Sequence, residues 1–146
     1  MKIIKATLNE LEILTNLFDL YRQFYNQQSD IDSAKLFLSE RINNNESVIF
    51  LAIVENIGLG FTQLYPSFSS VHMKKTWILN DLFVHKSFRE QGIAEKLIDR
   101  TILLAVETNS KEIVLETQIL NTNAKKLYDK KGFKKDEEHY YYYLTI

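Results

Sequence analysis

The 146-residue chain has no cysteine, which excludes disulfide staples, thiolate metal sites and a cysteine nucleophile. One proline and four glycines leave too little punctuation for an interdomain linker, and no repeat or low-complexity tract replaces it. The chain therefore reads as one domain over residues 1–146, a length that buries roughly two thirds of the unfolded surface without staples. Histidine is scarce too: His72, His85 and His139 show no i, i+4 spacing, so no zinc site and no other metal is expected. Neither sign of charge dominates. The formal net charge of -1 gives no global attraction to nucleic acid or to anionic membranes. No apolar run approaches the ~18 residues of a membrane span. The first residues, Met1 to Ala6, alternate like a strand and lack the apolar core of a signal peptide. A cytoplasmic protein without nucleic-acid or membrane partners is the expectation.

What is present is strong periodicity. Lys2 to Ala6 predicts a first strand. Thr7 to about Gln27 predicts a helix, with Thr7 and Glu10 as a capping box and Leu11, Leu14, Leu17, Phe18, Tyr21 and Phe24 as one apolar stripe. A second helix runs from about Ser33 to Asn43, capped from Asp32 or Ser33. Ser47 to Val54 and Leu59 to Tyr65 read as strands joined by a turn at residues 55–58, with Pro66 ending the second. Val71 to Val84 reads as a long strand. Ile93, Ala94, Leu97, Ile98, Ile102 and Ala105 then repeat with helical spacing to about Glu107. Glu112 to Glu116 is a short strand, and Asn121 to Lys131 a helix closed by Gly132. Phe133 to Lys135 and Tyr140 to Thr145 read as a final antiparallel pair. The order predicts an α/β fold around one mixed sheet.

The most telling stretch joins the long strand to the third helix: Ser87-Phe88-Arg89-Glu90-Gln91-Gly92-Ile93-Ala94. Gly92 sits where loop becomes helix, with no Cβ to keep another molecule from the backbone. The N–H groups of the first helical turn, about residues 90–94, lack intrahelical partners and together favour an anionic oxygen. That is a cradle for phosphate and points to a nucleotide-bearing cofactor. Such a pattern alone is weak, and Gly92 equally suits tight strand-to-helix packing. A Lys-Ser/Thr pair after the glycine is missing, which disfavours a P-loop.

A second signature follows about thirty residues later: Asn121-x-x-Ala124-x-x-Leu127-Tyr128-x-x-x-Gly132-Phe133. Together with Asp81-Leu82-Phe83-Val84 and Arg89-x-x-Gly92-x-Ala94, it resembles the GCN5-related N-acetyltransferase (GNAT) superfamily over nearly the whole chain. The resemblance implies a central mixed, mostly antiparallel sheet of six to seven strands flanked by four helices and splayed between the fourth and fifth strands. It implies acetyl-CoA as co-substrate. Arg89, Glu90, Gln91, Gly92, Ile93 and Ala94 would hold the pyrophosphate, and the main chain of Leu82, Phe83 and Val84 the pantetheine arm. Asn121 would touch the pantetheine side, and Tyr128 would stand near the thioester sulfur as general acid. Asn121 also suits a helix N-cap and Tyr128 a core-edge aromatic. The six lysines between Lys125 and Lys135 read as a solvated face from which one contact to the CoA 3′-phosphate is conceivable.

The implied reaction is direct acetyl transfer to a primary amine of a small molecule or protein. On the long strand Ile78, Asn80, Leu82 and Val84 are expected on one face, with Asp81 and Phe83 on the other. Asn80 is the candidate for substrate binding. Glu116, His85 and Asp81 are candidate bases that the sequence does not rank. Tyr21 to Asp32 and Tyr65 to His72 are expected at the acceptor entrance, where Asp30 and Asp32 suit a cation or a helix cap. The acceptor stays open. A non-catalytic acyl-CoA-binding domain and an enzyme modifying protein or aminoacyl-tRNA are the competing readings, and edge strands near the C-terminus allow a homodimer.

Overall fold

The computed structural model describes residues 1–146 and divides into two compact units, Met1–Glu116 and Thr117–Ile146. The first contains β1 (Lys2–Lys5), α1 (Leu11–Phe24), α2 (Ile31–Asn43), β2 (Val48–Val54), β3 (Ile57–Ser69), β4 (Lys74–Val84), α3 (Ile93–Glu107) and β5 (Ile113–Val114). The second contains α4 (Thr122–Lys130). No helix is long and apolar enough to cross a membrane.

The capping box forms as expected, with the Thr7 N–H donating to Glu10 Oε2 at 2.8 Å and the Asn9 N–H to Thr7 Oγ1 at 3.2 Å. It caps a 3-10 turn at Leu8–Glu10, and α1 begins after it. The apolar stripe of α1 buries Leu14, Leu17 and Phe18, with Ala34 and Leu38 of α2, against Ile49, Leu51, Phe61 and Phe83 of the sheet. Strand alternation turns Phe50 to the opposite face. There α3 packs, its Arg100 guanidinium 4.4 Å from the Phe50 ring centre and its C-terminal Thr108 accepting from Trp77 Nε1 at 2.9 Å. With few glycines available, asparagine takes the left-handed position after each of these helices: Asn26, Asn45 and Asn109, at φ 63°, 52° and 48°.

The strands lie in the order β1-β2-β3-β4-β5. Every pairing is antiparallel except β4 with β5. The sheet has five strands rather than six to seven, because residues 133–135 and 140–145 join no ladder. Their alternation satisfies the pattern of a strand, but pairing makes the structure, and Tyr140, Tyr141, Tyr142 and Tyr143 are exposed. The expectation that Pro66 ends β3 also fails, since the strand continues to Ser69. The Trp77 N–H donates to Glu112 O on the β5 side, so Trp77 and its partner Pro66 form a non-hydrogen-bonded pair. The proline nitrogen therefore faces away from β4, where β2 has already ended its pairing at Leu64. Proline is tolerated there because no donor is required.

Two irregularities shape β4. First, β5 pairs only with Trp77 and Ile78, so from Leu79 to Val84 this edge has no strand beside it. The pairing between the fourth and fifth strands, where a splay is expected, thus ends at Ile78 and Val114. Second, Gln63 pairs with Asp81 but Leu64 with Leu79, leaving Asn80 as an extra residue. This β-bulge corrects the expected faces. Across it, Ile78 returns to the side of Asp81 and Phe83, while Trp77 and Leu79 turn toward α3.

In the second unit the Asn121 side chain accepts from the Ala124 N–H at 3.3 Å and starts α4. The helix ends in paired bonds, Gly132 N–H to Asp129 O and Phe133 N–H to Tyr128 O, both 3.0 Å. With Gly132 at φ 88° and the Tyr128 and Phe133 rings 5.7 Å apart, this is a Schellman ending with its apolar contact. The spacing from Asn121 to Phe133 thus encodes both ends of one helix.

Candidate active site

The β4 edge leads through a 3-10 turn at Lys86–Phe88 into a loop with two left-handed residues, Glu90 at φ 61° and Gly92 at φ 73°. A Cβ built on Gly92 meets no atom within 4 Å. The residue is therefore glycine because of its backbone angle, and the backbone stays open to approach. Arg89 donates its Nε–H to Val84 O at 3.1 Å, and its guanidinium lies 5.6 Å from the Phe24 ring centre and 5.9 Å from that of Phe83. It therefore staples the loop to the strand. Behind the loop Ile93 is buried and anchors α3, with Ala94 following it in the first turn.

No side chain caps α3, whereas Asp30 caps α2 and Asn121 caps α4. The first-turn amides of α3 and the positive end of its dipole suit an anionic oxygen. The unpaired β4 edge offers main-chain groups to an amide-bearing arm. These residues fit a CoA-type molecule.

On the α1/α2 face a cavity of about 420 Å³ opens between both helices and β4, lined by Phe18, Tyr21, Arg22, Phe37, Tyr65, Asn80 and Asp81 among others. The bulge explains why consecutive Asn80 and Asp81 both reach it. Asp81 is 3% exposed. Its carboxylate accepts from Gln63 Nε2 at 2.6 Å, Asn80 Nδ2 at 3.0 Å and the Tyr21 hydroxyl. Burial pushes the Asp81 carboxyl up, and these three donors only partly offset it. Burial, then the charge of Asp81, raises the Tyr21 phenol in turn and pushes Tyr65 up to about 12.

Of the three candidate bases, His85 spends its Nδ1 accepting from the Ser87 N–H at 3.2 Å. Only Asp81 lines the cavity. Asp30 is a helix cap, accepting from the Ser33 N–H at 3.1 Å. Of the two segments expected at the acceptor entrance, Tyr21 and Tyr65 line the cavity. Sequence reading missed the polar cluster of Gln63, Tyr21 and Asp81. The one available signal was a glutamine inside an otherwise apolar strand, Leu59 to Tyr65. Asn121 and Tyr128 belong to the second unit, where Tyr128 is 9% exposed.

Comparison with known proteins gives this arrangement its context. The acetyltransferase (GNAT) family matches residues 14–133. The chain is 39% identical over 146 residues to "Uncharacterized N-acetyltransferase YhfO" of Bacillus subtilis (strain 168), covering 100% of this chain and 98% of that protein. It is 32% identical to a "Probable acetyltransferase" of Haemophilus influenzae, covering 100% of this chain and 99% of that protein. A crystal structure described as "a probable acetyltransferase" superposes with a TM-score of 0.96 at 41% identity, covering 100% of this chain and 98% of that one. With a family match across most of its length and full-length acetyltransferase relatives, this enzyme belongs to the GNAT acetyltransferase family.

Proposed function

We propose that the chain transfers an acetyl group from acetyl-CoA directly to a primary amine. The observation that carries this reading is the continuous path from the unpaired β4 edge at Leu82, Phe83 and Val84 to the uncapped start of α3 at Gly92. In it, Arg89 fixes the loop, the amides of Glu90 to Ala94 receive the pyrophosphate, and the β4 main chain receives the pantetheine arm. Asn121 and Tyr128 keep the parts that the family motif gives them, contact with the pantetheine and protonation of the leaving thiol. The family match runs from 14 to 133, through both units, which supports reading them as one catalytic domain.

Two proton transfers set the chemistry. An alkylammonium with pKa near 10.4 is neutral in about one molecule in 2,500 at pH 7, a cost of roughly 4.6 kcal/mol. A carboxylate beside the acceptor therefore assists the reaction by taking a proton, directly or through water. At the other end the departing CoA thiolate, with a reference pKa near 8.5, leaves more readily when a phenol protonates it. That is the part assigned to Tyr128. The absence of cysteine agrees with transfer without an acyl-enzyme.

The test is thiol release from acetyl-CoA across a panel of amines, paired with calorimetry of CoA binding. Amine-dependent release supports transfer. Binding without release would leave an acyl-CoA-binding domain, and no binding at all would remove the loop's assignment.

A further inference from the structure

Asp81 is a buried carboxylate on a cavity wall, and its three partners, Gln63, Asn80 and Tyr21, are all neutral donors. None of the ion pairs in the chain includes it. The one cation lining the cavity, Arg22, is engaged elsewhere: its Nη1 lies 3.7 Å from Asp19 Oδ1 and donates to Gln28 O at 3.1 Å. A buried carboxylate without a cationic partner is costly, and proteins rarely keep one without a use. Gln63, itself fully buried, has an Oε1 without a hydrogen-bond partner. Its amide is turned to donate toward Asp81, so the hydrogen bonds of the cluster support the charged carboxylate and offset part of the cost of its burial.

The surrounding wall is aromatic. Phe18 and Phe37 stack with ring centres 5.7 Å apart and planes 3° from parallel, and Tyr21 and Tyr65 complete the lining. Aromatic faces attract cations and receive apolar bodies. The volume of about 420 Å³ falls near the small end of ligand cavities. A second charged nitrogen on the guest finds no second carboxylate among the lining residues and meets Arg22 instead.

Building on the acetyl-transfer reading, we infer that the acceptor is a compact, singly charged primary amine with an aromatic or branched apolar body. Its ammonium pairs with Asp81 and its body lies against Phe18, Phe37, Tyr21 and Tyr65. Asn80, the extra residue of the bulge, holds the carboxylate toward the guest. Polyamines are discriminated against by the same walls.

Calorimetry on the full chain, without acetyl-CoA, tests this with 2-phenylethylamine against 2-phenylethanol, 3-phenylpropionate and spermidine. The expected result is that 2-phenylethylamine binds at least tenfold tighter than each of the others. Asp81→Asn should weaken it at least tenfold while leaving CoA affinity unchanged, which also reports that the variant is folded. Phe37→Ala should weaken 2-phenylethylamine more than methylamine. Equal binding of the alcohol or of spermidine, or unchanged binding by Asp81→Asn, overturns the inference. If spermidine or a peptide amine is acetylated while 2-phenylethylamine neither binds nor reacts, the acceptor class is wrong and acetyl transfer stands. If 2-phenylethylamine binds as expected but no amine releases thiol, the transfer reading falls and with it the acceptor role, leaving an amine-binding site at Asp81.

Discussion

Arg89 reaches back to the last residue of β4, its Nε–H donating to the Val84 carbonyl at 3.1 Å. The contact fixes the loop by a directional bond and by stacking near Phe24 and Phe83, so charge alone does not replace it. Arg89→Ala and Arg89→Lys should both raise the KM for acetyl-CoA about tenfold, the equivalent of one charge-assisted hydrogen bond of ~1.4 kcal/mol. Steady-state kinetics at saturating amine decides it. A lysine variant with the native KM would reassign Arg89 to a simple surface charge.

Gly92 is held at φ 73° with no neighbour in reach of a Cβ. Gly92→Ala should therefore cost about 1–2 kcal/mol through its backbone angle alone, with no added penalty from a clash. Asparagine tolerates this region better, and Gly92→Asn should lose less. Urea unfolding of the two variants gives the comparison, and equal losses would mean that contact rather than conformation selects glycine.

The Tyr128 ring meets Phe133 at a tilt of 59° within the helix ending, a contact that phenylalanine preserves. Tyr128→Phe should keep CoA affinity while kcat falls by about 10²- to 10⁴-fold, the usual cost of losing a general acid. Unchanged turnover removes that assignment.

Asp81 resists ionisation because it is buried, so its pKa lies above the ordinary value of an aspartate in the unfolded chain. Below that value both folded and unfolded chains are protonated and nothing is lost. As pH rises through the native value the unfolded chain holds fewer protons, so native stability declines and then levels off. Asp81→Asn removes this decline. Gln63 can turn its amide so that Oε1 accepts from the new side-chain N–H, and Tyr21 and Asn80 keep an acceptor. The variant should melt higher than the parent at pH 7, on the order of 2–4 °C for each kcal/mol gained, with the gap closing toward pH 4. Thermal melts across that range provide the measurement. A variant that melts lower at pH 7 would show that the charge stabilises the fold.

Much of this architecture was legible because it depends on local rules. The stripe Leu14-Leu17-Phe18, the capping pair Thr7 and Glu10, and the span from Asn121 to Gly132 carry their own signals, and α1 and α4 form there, α1 after the one 3-10 turn that the capping pair starts. Gly92 marked the loop because a left-handed backbone leaves few alternatives. What was not legible depends on partners. Pro66 reads as a terminator until it is seen that its nitrogen faces no neighbour. Tyr140 to Thr145 alternates like a strand, yet a strand exists only beside another. The register shift that leaves Asn80 unpaired arises between β3 and β4, and no period in either sequence announces it. The cavity with Asp81 at its wall stayed hidden for the same reason.

Inserting a residue into a strand would ordinarily invert inside and outside for everything beyond it. At Asn80 the disturbance is confined between regular stretches, with Leu82, Phe83 and Val84 still aligned to Thr62, Phe61 and Gly60. In the proposed reading, Asn80 and Asp81 meet the guest and the next three residues receive the coenzyme, so one shift of pairing would displace both contacts together.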